Sequence, residues 1–310
     1  MSTGAPAQVL LRDPAGPLEA TFVPSAGMLC SSLRSSSREL LAENSGVRAY
    51  AERGKTMGIP LLYPWANRLA GFGYEAAGRT VRLPSDPGLL TFDGNGLPMH
   101  GVIPGRLPWA IAQPPGEHGS SLAASLTWSP DLSGLFDVFP FRHDLRYTAQ
   151  LLRGCLEISV TVHACGPDPV PVSFGFHPYL VAGSTGREGW QVDLPAMRSV
   201  QLDERQIPVG QADELPGGRL ALGTRAFDDG FCDVAEDARF AVDAGDGPIT
   251  LEFREGYRFA QVYAPPAGRF ICFEPMTAPA NALRSGVGLT VLAPGETRTS
   301  RFAVEVSGFH

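Results

Sequence analysis

The sequence predicts an all-β protein, a large antiparallel sandwich in which residues 1–310 form a single domain. Three observations carry that expectation. Short runs alternate apolar and polar side chains with a period of two, glycine and proline punctuate them throughout, and no long segment shows capped three- and four-residue apolar spacing. No internal repeat, low-complexity linker or shift in composition divides the chain.

Taken in order, "SSLRSSSREL" (31–40) reads as a strand and its turn rather than a linker. "HDLRYTAQLL" (143–152) puts Leu145, Tyr147, Ala149 and Leu151 on one face, and "CLEISVTVHA" (155–164) does the same with Leu156, Ile158, Val160 and Val162. The "RG" between them is a tight-turn signal, so the pair reads as a β-hairpin. In "PVSFGFHPYL" (171–180), Val172, Phe174 and Phe176 alternate as in a half-buried strand that ends on His177. Pro178 pushes that histidine into extended geometry and forbids a helix. "FAQVYAPPAGRFICFEP" reads as a strand pair around Pro265–Gly268, and "SRFAVEV", reached through "APGE", as a closing strand.

Composition narrows the function. The formal net charge of −7, with Lys55 as the only lysine and no basic block, argues against a nucleic-acid partner. Cys30, Cys155, Cys165, Cys232 and Cys272 are odd in number, widely spaced and without a C-x-x-C pair. They read as reduced, mostly buried thiols of a cytoplasmic protein rather than a disulfide framework or a zinc site. "MSTGAPAQVLLRD" lacks the pattern of a signal peptide, and no apolar stretch is long enough to span a bilayer. No ligand-spaced His or Cys pair, calcium loop, Walker A loop, dinucleotide fingerprint or G-x-S-x-G elbow occurs, so neither a metal nor a cofactor is expected.

The candidate site residues lie in loops and at expected strand ends. "GIPLLYPWANRLAGFGY" and "TFDGNGLPMHGVIPGRLPW" are dense in proline, glycine and isolated polar residues, the kind of loop in which binding groups sit. Arg68, after Asn67, can hold hydroxyls or a carboxylate with Tyr63 and Trp65 as a stacking wall, or be a surface arginine packed on tryptophan. His100 in "GLPMHG" reads as a loop histidine bonded to backbone or as a ligand. In "FDDGF", Asp228 and Asp229 either face opposite ways on an extended segment or belong to a turn before Gly230. Glu274, placed at the end of "FICFE" and stiffened by Pro275, is costly to bury unless paired, so it is either exposed or functional. His118, His163 and His310 read as solvated; His143 is left open.

In sequence order, "PLLYPWANRLAGFGY", "LPMHG", "FGFHPYL", "FDDGF" and "FEPMTAPANAL" resemble the aldose 1-epimerase (galactose mutarotase) family, from about residue 20 to "APGETRTSRFAVEV". The resemblance implies a galactose mutarotase-like β-supersandwich with a sugar cleft. It implies a cofactor-independent isomerase that interconverts the α and β anomers of a free aldohexose, as a monomer or homodimer. It further implies Glu274 as general base and His177 as general acid, with Arg68, Asn67, His100 and Asp228 binding the sugar. Many members carry histidine where this chain has Asp229, which leaves the preferred sugar open. A hexose-6-phosphate epimerase, a non-catalytic sugar-binding protein and a retaining glycosidase are the rival readings; the last gives the histidines no role.

Overall fold

The alternating runs assemble into two large sheets packed face to face. The computed structural model describes residues 6–114, 119–183 and 186–308; His118 and His310 lie outside them. Strands Ser121–Trp128, His143–Leu152 and Cys155–His163 form a meander whose register sets Leu145 opposite Val162 and Leu151 opposite Leu156. Arg153 and Gly154 in the hairpin turn both have positive φ, 54° and 75°, the sense that matches the strands' own twist. Strand Thr297–Val306 follows, then Ile249–Glu255, Ala238–Asp243, Gln191–Leu194 and Gly218–Ala221, with Ala110–Gln113 at the opposite edge, giving nine strands.

The second sheet has eight strands. It runs from Pro208–Leu215 through Met197–Leu202, Phe227–Cys232, Phe259–Ala264 and Ile271–Met276 to Gly175–Phe176 and Leu61–Leu62; Tyr179–Leu180 also pairs with Ile271–Met276. Aromatic pairs join the sheets, with Phe273 5.4 Å from Phe240 and Phe176 4.9 Å from Phe302. One continuous apolar core reaches from Leu11 to Val304. An N-terminal sheet of four strands, Val9–Arg12, Leu18–Val23, Leu29–Ser35 and Arg38–Glu39, includes the strand and turn expected in "SSLRSSSREL". Among the described residues the longest helix is Val47–Arg53, and no helix is long and apolar enough to cross a membrane.

Four local expectations need correction. Residues 170–180 are buried at every position, so the apparent alternation of Val172, Phe174 and Phe176 does not mark a half-buried strand. The segment breaks into Val170–Val172, which pairs with Thr290–Leu292, Gly175–Phe176, which lies between Leu61–Leu62 and Ile271–Met276, and Tyr179–Leu180, which pairs with Ile271–Met276. Glu274 lies inside strand Ile271–Met276 rather than at its end, and His100 belongs to strand Pro98–Val102 rather than to a loop. All five cysteines are free, but only Cys30 and Cys272 are buried, because the other three lie on half-buried strand positions or in loops at the edge of the core.

Candidate functional site

Strand period decides which side chains of the eight-stranded sheet face the cleft. Along Ile271–Met276, Ile271 and Phe273 enter the core, which turns Glu274 to the other face. Val262 on the neighbouring strand is likewise core, so Gln261 and Tyr263 share the face of Glu274. Register sets Gln261 directly opposite Glu274, and Asp228 opposite Tyr263. Three adjacent strands thus present one row of polar groups. Gln261 Nε2 donates to Asp228 Oδ1 at 2.8 Å, tying the carboxylate to the row.

His177 joins this row because its backbone hangs from the segment 40–60. Its N–H donates to the Pro60 carbonyl at 3.2 Å, and that of Tyr179 to the Gly58 carbonyl at 2.8 Å. The ring lies parallel to Tyr179, centroids 4.5 Å apart at 5°, and meets His100 and Tyr263 edge-on. Nε2 is 3.2 Å from Glu274 Oε1 and 3.5 Å from the Tyr179 hydroxyl, which bonds Thr56 at 2.6 Å.

The opposite wall comes from residues 67–69 and strand Pro98–Val102. Asn67 and His100 both have positive φ, 53° and 61°, and are clasped together. The His100 N–H donates to the Asn67 carbonyl at 2.9 Å, and the Asn67 N–H to His100 Nδ1 at 3.2 Å. Accepting at Nδ1 leaves the proton of the neutral ring on Nε2, as a donor. Gly101 must be glycine: φ is +74°, and a Cβ there would lie 2.0 Å from the Tyr63 carbonyl oxygen. Arg68 Nε donates to Asp93 Oδ2 at 2.8 Å.

The cleft holds about 250 Å³ and is lined by every candidate residue from the sequence: Asn67, Arg68, His100, His177, Asp228 and Glu274. Asp229 does not line it, since its neighbour Asp228 takes the inward direction; burial raises the Asp229 pKa. Sequence reading missed Thr56, Met99, Tyr179, Gln261 and Tyr263. The alternation of "FAQVYA" against "FICFE" carried the signal for Gln261 and Tyr263. The expected stacking wall is wrong. Trp65 is fully buried and Tyr63 donates its hydroxyl to His143 Nε2 inside the core, so the aromatic walls are Tyr179 and Tyr263. His143, left open by sequence, is a core residue whose Nδ1–H donates to the Phe141 carbonyl at 2.6 Å. His163 is half exposed beside Asp144.

Burial acts on both His177 and Glu274, in opposite directions. Burial raises the Glu274 carboxyl well above its usual range; Asp228 adds to the shift and Arg68 opposes it. Burial lowers the His177 imidazole to about 3, with Arg68 pushing the same way. Burial also drives His100 well below 6.5, so it remains neutral. Both shifts favour an uncharged pair, carboxylic acid beside neutral imidazole. Moving one proton across 3.2 Å converts it to carboxylate and imidazolium. Glu274 Oε2 is buried without a protein partner, an acceptor left for a ligand hydroxyl. Among the described residues, no group of three or more His, Cys, Asp or Glu side chains is gathered as metal ligands would be.

Fold and cleft together define a β-supersandwich protein whose polar cleft is lined by a buried carboxyl and imidazole in contact. The chain belongs to the aldose 1-epimerase family, whose description it matches over residues 19–305. It is 23% identical over 245 residues to the uncharacterised protein YihR of Escherichia coli K12, covering 76% of this chain and 75% of that one. Among solved structures, the Slr1438 protein of Synechocystis sp. PCC 6803 is similar with a TM-score of 0.78 at 23% identity, covering 98% and 97% of the two chains. A galactose mutarotase-like protein of Clostridium acetobutylicum is similar with a TM-score of 0.80 at 16% identity, covering 94% and 93%. These two structures share the fold.

Proposed function

We propose that the protein is a cofactor-independent aldose 1-epimerase that interconverts the α and β anomers of a free aldohexose. The observation that carries this reading is the buried pair of Glu274 and His177, 3.2 Å apart, with burial pulling their proton affinities in opposite directions. Such a pair holds one transferable proton, and mutarotation needs one acid and one base at once.

Glu274 as carboxylate takes the proton of the C1 hydroxyl. The electrons of that O–H bond form the C1=O carbonyl, the C1–O5 bond breaks, and His177 delivers its proton to O5. Rotation about C1–C2 presents the other face of the aldehyde. O5 then attacks C1, His177 recovers the O5 proton, and Glu274 returns its proton to O1. Protons and electrons balance, and the pair ends as it began. Arg68, Asn67, His100 and Asp228 hold the other hydroxyls, with donors from the first three and an acceptor from Asp228. Tyr179 and Tyr263 flank the ring with aromatic surface.

The same reading takes residues 1–310 as one domain, supported by the core that runs from Leu11 to Val304. It places the protein in the cytoplasm, supported by five free cysteines. The test is polarimetry of freshly dissolved α-D-glucose and α-D-galactose. Catalytic amounts of protein should speed the approach to equilibrium rotation without moving its end point; rates equal to buffer alone for both sugars would refute the proposal.

A further inference from the structure

Arg68 is the one arginine or lysine among the described residues that line the cleft, and its charge is already matched. Its partner Asp93 stands behind it, outside the lining, in the loop between strands Leu90–Phe92 and Pro98–Val102. The two side chains are 17% and 4% exposed, with Nε and Oδ2 2.8 Å apart. Asp93 cannot swing away: its Oδ1 accepts the N–H groups of Asn95 and Leu97, each at 2.9 Å. Its backbone N–H donates to the Leu97 carbonyl, and its own carbonyl accepts from Gly96. The Nε edge of the guanidinium is therefore occupied, and the two terminal nitrogens remain. Two further acidic side chains, Asp228 and Glu274, face the same space. Lys55 and Arg269 are exposed sequence neighbours of Thr56 and Phe270 and do not line the cleft.

We infer that Asp93 is a specificity-determining residue that neutralises Arg68, so that the cleft takes uncharged aldoses and rejects phosphorylated ones. The inference rests on the mutarotase reading. An arginine compensated at 2.8 Å still donates to hydroxyls, whose recognition needs direction more than net charge. A dianionic phosphate needs an uncompensated cation, and here it meets an ion pair with the acidic side chain of Asp228 facing the same space. Asp93 touches no substrate. It acts through Arg68, as a positioning residue.

The experiment measures kcat/KM by polarimetry for α-D-glucose and α-D-glucose 6-phosphate with the parent, Asp93→Asn and Asp93→Ser. Asparagine keeps an oxygen for the loop N–H groups while removing the charge; serine offers a second, smaller acceptor should asparagine disturb the fold. The parent should prefer glucose. In the variants the ratio of phosphate to glucose turnover should rise about ten- to hundredfold, the scale of one charged hydrogen bond. A purely structural role would lower both activities alike, and an unchanged ratio overturns the inference. So does a parent that turns over the two sugars equally. Calorimetric titration of the same proteins with both sugars reads the ratio without turnover. If no aldose is turned over, the mutarotase reading fails, and the binding ratio then decides Asp93 by itself.

Discussion

Replacing Glu274 with glutamine tests the proposed base and the electrostatics of its burial in one protein. The amide keeps the shape of a side chain that is 1% exposed, so packing against Gln261 and His177 is retained. It cannot accept and return a proton. A positioned acid or base contributes ~10²–10⁴-fold, or about 3–5 kcal/mol of barrier, so polarimetric turnover should fall by that factor while calorimetric sugar binding changes little. Stability should move the other way. The folded-state pKa of Glu274 lies above its unfolded value, so its contribution to stability is fully present below about pH 4.5 and is lost as pH rises toward the folded pKa. Glutamine does not titrate. The stability of Glu274→Gln relative to the parent should therefore grow from pH 4.5 upward, at about 1.4 kcal/mol per pH unit while the parent's carboxyl stays protonated. Urea unfolding at a series of pH values measures it. Turnover within tenfold of the parent would remove Glu274 from the base role, and a stability gap independent of pH would refute the account of its burial.

Further outcomes test the remaining groups. His177→Asn should cost ~10²–10⁴ in kcat with little change in sugar affinity, whereas Arg68→Ala should raise KM as well; a destabilised but fully active His177→Asn would return this residue to the core. His143, lowered by burial from 6.5 to about 4, contributes stability that is present above pH 6.5 and lost as pH falls toward 4. The loss is at most about 3 kcal/mol. Urea unfolding at pH 7.5 and 4.5 should show a smaller loss for His143→Gln than for the parent; equal losses would exclude His143 as the source. Tyr179→Phe keeps the stack on His177 and removes the hydroxyl bonded to Thr56, so activity should fall severalfold rather than by decades, which stopped-flow polarimetry would check. Activity should survive exhaustive treatment with EDTA; loss restored by one specific metal would overturn the cofactor-free chemistry.

The sheets were legible in the sequence where one face of a strand is buried and the other wet. The hairpin of His143–Leu152 and Cys155–His163 shows strict alternation because its outer face is only partly covered. The same signal misleads at residues 170–180, where both faces are covered and any pattern of apolar residues fits. The candidate residues stand out in the sequence as polar groups in apolar or proline-stiffened surroundings, Glu274 before Pro275 and His177 before Pro178. Asp93 did not stand out, because aspartate in "FDGNG" looks like any turn former; only the fold reveals Arg68 beside it. Tyr63 and Trp65 misled for the opposite reason. A loop-like sequence passes through the core there, and its aromatics face inward.

The position of strand Thr297–Val306 has a consequence for biosynthesis. Val304 pairs on one side with Leu156 and on the other with Leu251, so this strand sits inside the nine-stranded sheet rather than at its edge. A nascent chain emerging from the ribosome can form the meander of residues 121–163 early, because its contacts are local. It cannot join the two halves of the sheet until synthesis has passed Val306. Until then, Cys155–His163 and Ile249–Glu255 each present an unpaired edge to other chains. Chains that terminate early are therefore left with two open edges and no completed core, a form suited to aggregation and to rapid degradation.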